Sequence, residues 1–294
     1  MRVTDLSGIW RFQEDPRGSG MEDKWFHYTL TDQINIPGIM QAQGYGDDIT
    51  HDTCWMSSLH DNMWYLREEY KGAQEEGINV PFLAQPPKHY MGKAWYQREF
   101  EVTEEDAGCY FRLFIECTRW NTKVWVDDEY VGGEMSLCAP HEFALGCLSV
   151  GEHRLTICVD NGFLLPYRPD GHGITDATAA TWNGLVGRVE LRAMPAVYIN
   201  KVAVYPDYDT RTVTVKGIIN KVSADSEKIT LTVNDIKKEY LIKNAKSEFS
   251  VDVEYPRTAE AWDEFTPVLH TINVKLEGTS QGTGFADLRE KSGS

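Results

Sequence analysis

The chain has 294 residues, a net charge of −16 and 12% aromatic residues, including nine Trp and fourteen Tyr. That length holds two domains of ordinary size, each with its own core. Charge of this sign repels phosphate backbones, and no apolar run is long enough to span a membrane, so neither nucleic acid nor a bilayer is expected as a partner.

The amino terminus, MRVTDLSGIW, carries a strand-like pattern almost from the first residue and does not look like a secretory leader. The expected location is the cytoplasm, or the periplasm or exterior if a leader has been removed. Alternation of period two then recurs along the first half. WYQREFEV (95–102), YFRLFIEC (110–117), TKVWVD (122–127), HRLTICV (153–159) and GRVEL (187–191) all read as strands. Asp127 and Asp128, between VWV and EYV, are placed to close a hairpin.

Residues 38–94 interrupt this pattern. They suggest at most a short helix near MWYLREEY, and so long an irregular stretch implies either a lid over a binding site or a wrapping segment that buries its aromatics. All six cysteines fall between Cys54 and Cys158, with no CxxC pair and no metal-ligand spacing. Cys117 shares a strand face with Phe111, Leu113 and Ile115, which predicts a buried thiol and no disulfide framework. A reducing compartment fits that pattern.

From Ile199 the alternation becomes cleaner: KVAVYP, TVTVKGII, KITLTV, EFSVDVEY and HTINVKL. Six or seven strands in under a hundred residues, with no Cys, predict an immunoglobulin-like sandwich without its disulfide. The fold class is therefore all-β, a sandwich or jelly roll followed by an immunoglobulin-like sandwich, with a joint near Pro195. Two sandwiches sharing a modest interface are expected to unfold separately. The first 195 residues carry 30 acids against 16 bases, so most of the negative charge lies there; a solvated surface explains it, and it mildly disfavours a polyanionic substrate.

Thr181–Leu191, TWNGLVGRVEL, sets an aromatic and an amide before a glycine-containing turn and a strand. Val189 and Leu191 lie on one face, Arg188, Glu190 and Arg192 on the other. Trp182 and Asn183 are thereby placed on a loop at one end of a sheet, where ligands are commonly met. His89 in PPKHY and His141 in APHEF are further loop or strand-end candidates, each more readily explained as a satisfied polar residue. The adjacent carboxylates Asp47–Asp48, Glu68–Glu69 and Asp127–Asp128 point to opposite sides in extended structure, which makes them poor catalytic pairs.

LSGIWRF, INIPG, WYQREFEV, VWVDDEYVGG, LTICVDN and WNGLVGRVEL occur in the order and spacing of one family. They resemble the galactose-binding-like jelly-roll, or sugar-binding, domain of glycoside hydrolase family 2. AWDEFTPVLHTINVKL, with Trp262, Pro267 and Leu269, resembles that family's immunoglobulin-like domain, and GTGFADLRE the segment leading to its catalytic barrel. The resemblance implies a sugar-binding domain over 1–196, an immunoglobulin-like domain over 197–284 and a lead-in over 285–294.

It also implies retaining hydrolysis of β-glycosides, as in β-galactosidases, β-glucuronidases and β-mannosidases. That chemistry needs two carboxylates about 5–5.5 Å apart, which this family carries on a (β/α)₈ barrel of roughly 250 residues. No such pattern of strand and helix occurs in this sequence, so the chain is expected to be a non-catalytic, β-galactosidase-like amino-terminal portion. Its partners would then be the barrel, a β-linked carbohydrate and further copies of the enzyme, with no cofactor and no metal. Gln85 stands where the family has Asn before Pro-Pro. His172, Asp176, Trp182 and Asn183 fall in the acidic segment and turn that border the family's pocket. The alternatives are a stand-alone lectin-like module and a structural or oligomerisation adaptor.

Overall fold

A computed structural model describes residues 1–50, 52–56, 68, 83–84, 86–162, 164, 171, 174–176, 178, 181–222, 226–277 and, as backbone, 278 and 286–292. The expected helix near MWYLREEY falls outside the described residues, apart from Glu68.

Two sheets face each other in the first 194 residues. One is ordered β1(Arg2–Asp5)–β11(Gly184–Met194)–β6(Tyr110–Thr118)–β9(His141–Gly146), with the short β4(Gly38–Ile39) also on β11. The other runs β3(Asp32–Ile36)–β2(Gly8–Asp15)–β5(Lys93–Val102)–β10(Gly151–Asp160)–β7(Asn121–Val126)–β8(Glu129–Met135). Alternate residues of each strand point inward, so Trp10, Phe12, Tyr96, Val124 and Ile157 of one sheet meet Leu113, Ile115, Val189 and Leu191 of the other in one dry core.

β5 and β10 are buried on both faces. Outside the six-stranded sheet, Leu30, Trp95, Trp125 and Cys158 form a second apolar cluster covered by Met21, Trp25 and Phe26. Phe26 stacks on Trp125 with centroids 5.1 Å apart. The buried thiol is accordingly Cys158, whose pKa burial drives far up. Cys117 keeps the face of Ile115 but lies near the sheet end, only half-buried. All six cysteines are free thiols.

On the outer face of the β6–β11 pair, Arg112 meets Glu142 at 2.6 Å and Arg192 meets Glu190 at 2.8 Å. Arg192 also lies 3.7 Å over the Phe114 ring, so an outward-facing aromatic is only 5% exposed. The same face touches the second half of the chain. Arg112 donates to Asn200 Oδ1 at 2.8 Å, and Tyr110 stacks on Tyr198.

Of the irregular stretch, the described part wraps. Met40 is fully buried and Tyr45 packs on Phe12 at 4.5 Å.

The β7–β8 hairpin turns at Asp127 and Asp128, both left-handed with φ of 47° and 73°, the backbone that this two-residue connection demands. The carboxylates also bind across the sheet edge: Asp127 Oδ1 accepts from the Arg154 amide at 2.8 Å, and Asp128 pairs with Arg154 and His27. Asp127 Oδ2 lies 2.5 Å from His153 Nδ1, while His153 Nε2 faces the Ser149 carbonyl at 2.7 Å. Burial pulls the His153 pKa down, but these two bonds and the Asp127 charge outweigh it and hold it above the ordinary histidine value. A raised histidine stabilises the fold fully below its unfolded pKa, and that stability is lost as pH rises through the folded one. The melting-temperature advantage of the native chain over His153→Gln should therefore shrink as pH rises above the ordinary histidine value of about 6.5. A gap that is constant or widens over that rise would refute it.

The second half forms two further sheets: β12(Val197–Asp207)–β13(Thr212–Lys221)–β16(Lys246–Glu254), and β15(Ile236–Ile242)–β14(Glu227–Val233)–β17(His270–Gly278)–β18(Ala286–Ser292). Val215, Val251, Leu231, Ile272 and Val274 fill the space between them, a small sandwich of immunoglobulin-like kind. Residues 286–292 pair along β17 at the end of that sheet.

Candidate functional site

One end of the first sandwich gathers the starts of β5, β7, β9 and β11 and the ends of β6, β8 and β10. Trp182 and Asn183 lie here, immediately before β11. The residue types at this end follow from what strand ends need, since each leaves backbone donors and acceptors that only side chains can satisfy.

Asn183 is fully buried and acts as a hub. Its Oδ1 accepts from the Tyr96 hydroxyl at 2.8 Å, and its Nδ2 donates to Val159 O at 3.0 Å and Gly92 O at 3.3 Å. Its backbone amide donates to Gln41 Oε1 and its carbonyl accepts from Met40. Asn161 does the same work one strand over: Nδ2 donates to Tyr90 O at 2.8 Å and Trp182 O at 3.0 Å, and Oδ1 accepts from the Gly92 amide at 2.9 Å. Trp182 is thus fixed by its carbonyl, with a half-buried side chain.

Asp176 is fully buried. Oδ2 accepts from the Met56 amide at 2.5 Å, and Oδ1 from the Thr181 amide at 3.0 Å and from the Thr181 hydroxyl. The carboxylate therefore ties the 53–56 segment to the approach to β11.

His89 pairs through its backbone with Asp47, at 2.8 and 2.9 Å, and its ring meets Trp55 edge-on at 4.9 Å. It is 7% exposed, and Nε2 has no hydrogen-bond partner among the described residues. Burial lowers its pKa against the pull of Asp176 and Asp47, so the ring is neutral at pH 7. His141 is completely buried, with Thr122 Oγ1 at 2.9 Å and Ser136 O at 3.2 Å on its two nitrogens, the arrangement of a satisfied structural histidine. Gln85 and His172 lie outside the described residues.

Two residues at this end were not singled out from the sequence. Arg119, 3% exposed, sits in the turn between β6 and β7 and donates from Nη2 to Ile174 O at 3.1 Å. Trp120 beside it is fully buried and donates from Nε1 to Gly162 O at 2.7 Å. The one available signal was an Arg-Trp pair interrupting two strongly alternating strands. No cluster of three or more His, Cys, Asp or Glu with metal-binding geometry occurs among the described residues.

The structure thus brings His89, Asp176, Trp182 and Asn183 to one end, with Trp55, Arg119 and Asn161 among them. Polar and aromatic groups converge there, and Asn161, Asp176 and Asn183 spend theirs on the backbone and side chains of neighbouring segments.

Residues 3–195 match the model of the sugar binding domain of glycosyl hydrolases family 2. A β-glucuronidase of Paenibacillus borealis is 25% identical, the match covering 93% of this chain and 42% of that protein. Among solved structures, Bacteroides uniformis β-glucuronidase 2 superposes with a TM-score of 0.69 at 16% identity, over 99% of this chain and 32% of that one. A family 2 β-galacturonidase from Eisenbergiella tayi, bound to galacturonate, gives 0.62 at 17% identity, over 99% and 43%. At such identities the structural likeness speaks for the fold alone, and the chain spans less than half the length of each of these proteins. These relatives are uronidases by name, where the sequence motifs had suggested a β-galactosidase-like enzyme. With two thirds of its residues under that family model, the chain belongs to glycoside hydrolase family 2, as a non-catalytic amino-terminal portion made of the sugar-binding sandwich and the smaller sandwich that follows it.

Proposed function

We propose that this chain is the substrate-flanking part of a retaining β-uronide hydrolase, setting one rim of a pocket whose acid and nucleophile lie elsewhere in the full-length protein. The observation that carries this reading is the similarity to the Paenibacillus borealis β-glucuronidase along 93% of the chain. The loop end of the first sandwich supports it. Trp182 offers a half-buried aromatic surface before β11, and the same end holds the buried His89 ring, whose Nε2 has no partner among the described residues. Such groups serve a hydroxyl-rich glycone. Two carboxylates about 5–5.5 Å apart are needed for retention; Asp127 and Asp128, the best-placed adjacent pair, are occupied in a hairpin turn on His153, His27 and Arg154.

The test compares nitrophenyl β-D-glucuronide, β-D-galacturonide and β-D-galactoside with the full-length protein and with this chain alone. The full-length protein is expected to favour a uronide over the galactoside by at least about a hundredfold in kcat/KM, because a site built for a carboxylate is left with unpaired polar groups by a hydroxymethyl. The chain alone is expected to turn over none of them. Equal use of the galactoside would overturn the uronide assignment. Turnover by the chain alone that vanishes on mutating its own residues would overturn the non-catalytic one.

A further inference from the structure

We propose that Arg119 is a positioning residue that holds the rim segments in place from beneath, through its buried charge, without touching sugar; this rests on the reading that the same loop end flanks the substrate. Four segments meet around it. Its own turn lies between β6 and β7, and its Nη2 grips the Ile174 carbonyl at 3.1 Å, two residues from Asp176. Asp176 in turn holds the Met56 and Thr181 amides, and His89 feels the same carboxylate from the fourth side. Arg119 and Asp176 are each at least 97% buried at this junction, and Asp47 is a second carboxylate acting on His89.

Packing does not explain the guanidinium. Buried ion pairs can often be replaced by apolar side chains without loss of stability, and here Nε carries no partner among the described residues, a cost that no core requires. Burial lowers the Arg119 pKa and the Asp176 charge offsets part of that. What the guanidinium secures is location: it lies 5.3 Å from the Trp120 ring and holds the Ile174 carbonyl, while Asp176, two residues on, holds the Thr181 amide ahead of Trp182. At 3% exposure Arg119 is sealed from a ligand, so its effect reaches the rim through Ile174 and Asp176.

The test is hydrogen exchange in the 294-residue chain carrying Arg119→Met, read at the Met56 and Thr181 amides. Both should exchange at least about tenfold faster, with Ile157 in the middle of β10 unchanged, and Arg119→Lys should recover part of the protection. In the full-length protein Arg119→Met should raise KM for a nitrophenyl uronide about tenfold and change kcat by less than about threefold, the pattern of lost uniform binding. Undiminished protection of both amides in Arg119→Met overturns the proposal whatever the activity. So does lost protection with an unchanged KM. Absence of uronide turnover by the native full-length protein sinks the functional reading instead and leaves the exchange result to decide the positioning role. Should Arg119→Met fail to fold, Arg119→Gln, which retains a donor for Ile174 but no charge, is judged by the same exchange criterion.

Discussion

Asn183→Ala is expected to destabilise the chain by about 3–5 kcal/mol, with a melting temperature lower by about 10 °C. The substitution strips the buried Tyr96 hydroxyl of its acceptor and takes the side-chain donor from the Val159 and Gly92 carbonyls, of which Gly92 keeps the Asn161 amide. Each stranded group forfeits about 1–3 kcal/mol, and the vacated space adds to that. Asn183→Asp separates bonding from shape, because it keeps the volume yet sets carboxylate oxygen against two carbonyls. It should be at least as damaging. Urea unfolding reads both variants: the midpoint should fall while the slope holds, and a loss under about 1 kcal/mol for either would mean the hub is dispensable.

Gly184→Ala, one residue on, should cost about 2–4 kcal/mol by a different route. A Cβ at Gly184 would stand 2.3 Å from the Gly38 carbonyl oxygen and 2.8 Å from the Ile39 Cα. Both are backbone atoms of β4, so no rotamer change relieves the clash. Without the clash, glycine to alanine in a strand would gain up to about 1 kcal/mol from the unfolded state, so even the sign is diagnostic. Hydrogen exchange at the Met40 amide, which donates to Asn183 O at 2.8 Å, should report β4 leaving the sheet. A variant as stable as the native chain, with Met40 still protected, would show that β4 can move aside at no cost.

These two residues also mark how far the sequence could be read. Strands with inward Val, Ile, Leu and Phe every second residue were legible, because a period of two fixes the face whatever the partner. The Trp-Asn-Gly run was legible as a marker but not as chemistry. A polar residue in a loop suggests a ligand, whereas strand ends leave carbonyls that need donors, and Asn183 answers Val159 and Gly92 from distant positions. Asn161, inside a motif already noticed, was missed for the same reason: its three partners are one to two strands away. Arg119 gave only the signal of an Arg-Trp pair between two alternating strands, which suggests a connection and no role. The cover over Trp95 and Trp125 escaped notice because residues 19–30 carry no periodicity, and the pairing of 286–292 because alternation names a strand's face and not its neighbour.

The place of β11 in its sheet has a consequence for synthesis. Among the described residues β1, at 2–5, pairs only with residues 190–193 of β11, which also joins β1 to β6. At about 5–20 residues per second, β1 waits roughly 10–40 s for its partner to be made. The six-stranded sheet has all its strands once Asp160 is made, yet the apolar face carrying Phe12, Tyr96 and Ile157 stays without the Leu185, Val189, Leu191 and Ala193 side chains of β11 until Met194 emerges. Through that interval the nascent chain presents a greasy, half-built sandwich, and a holding chaperone would find its binding surface there.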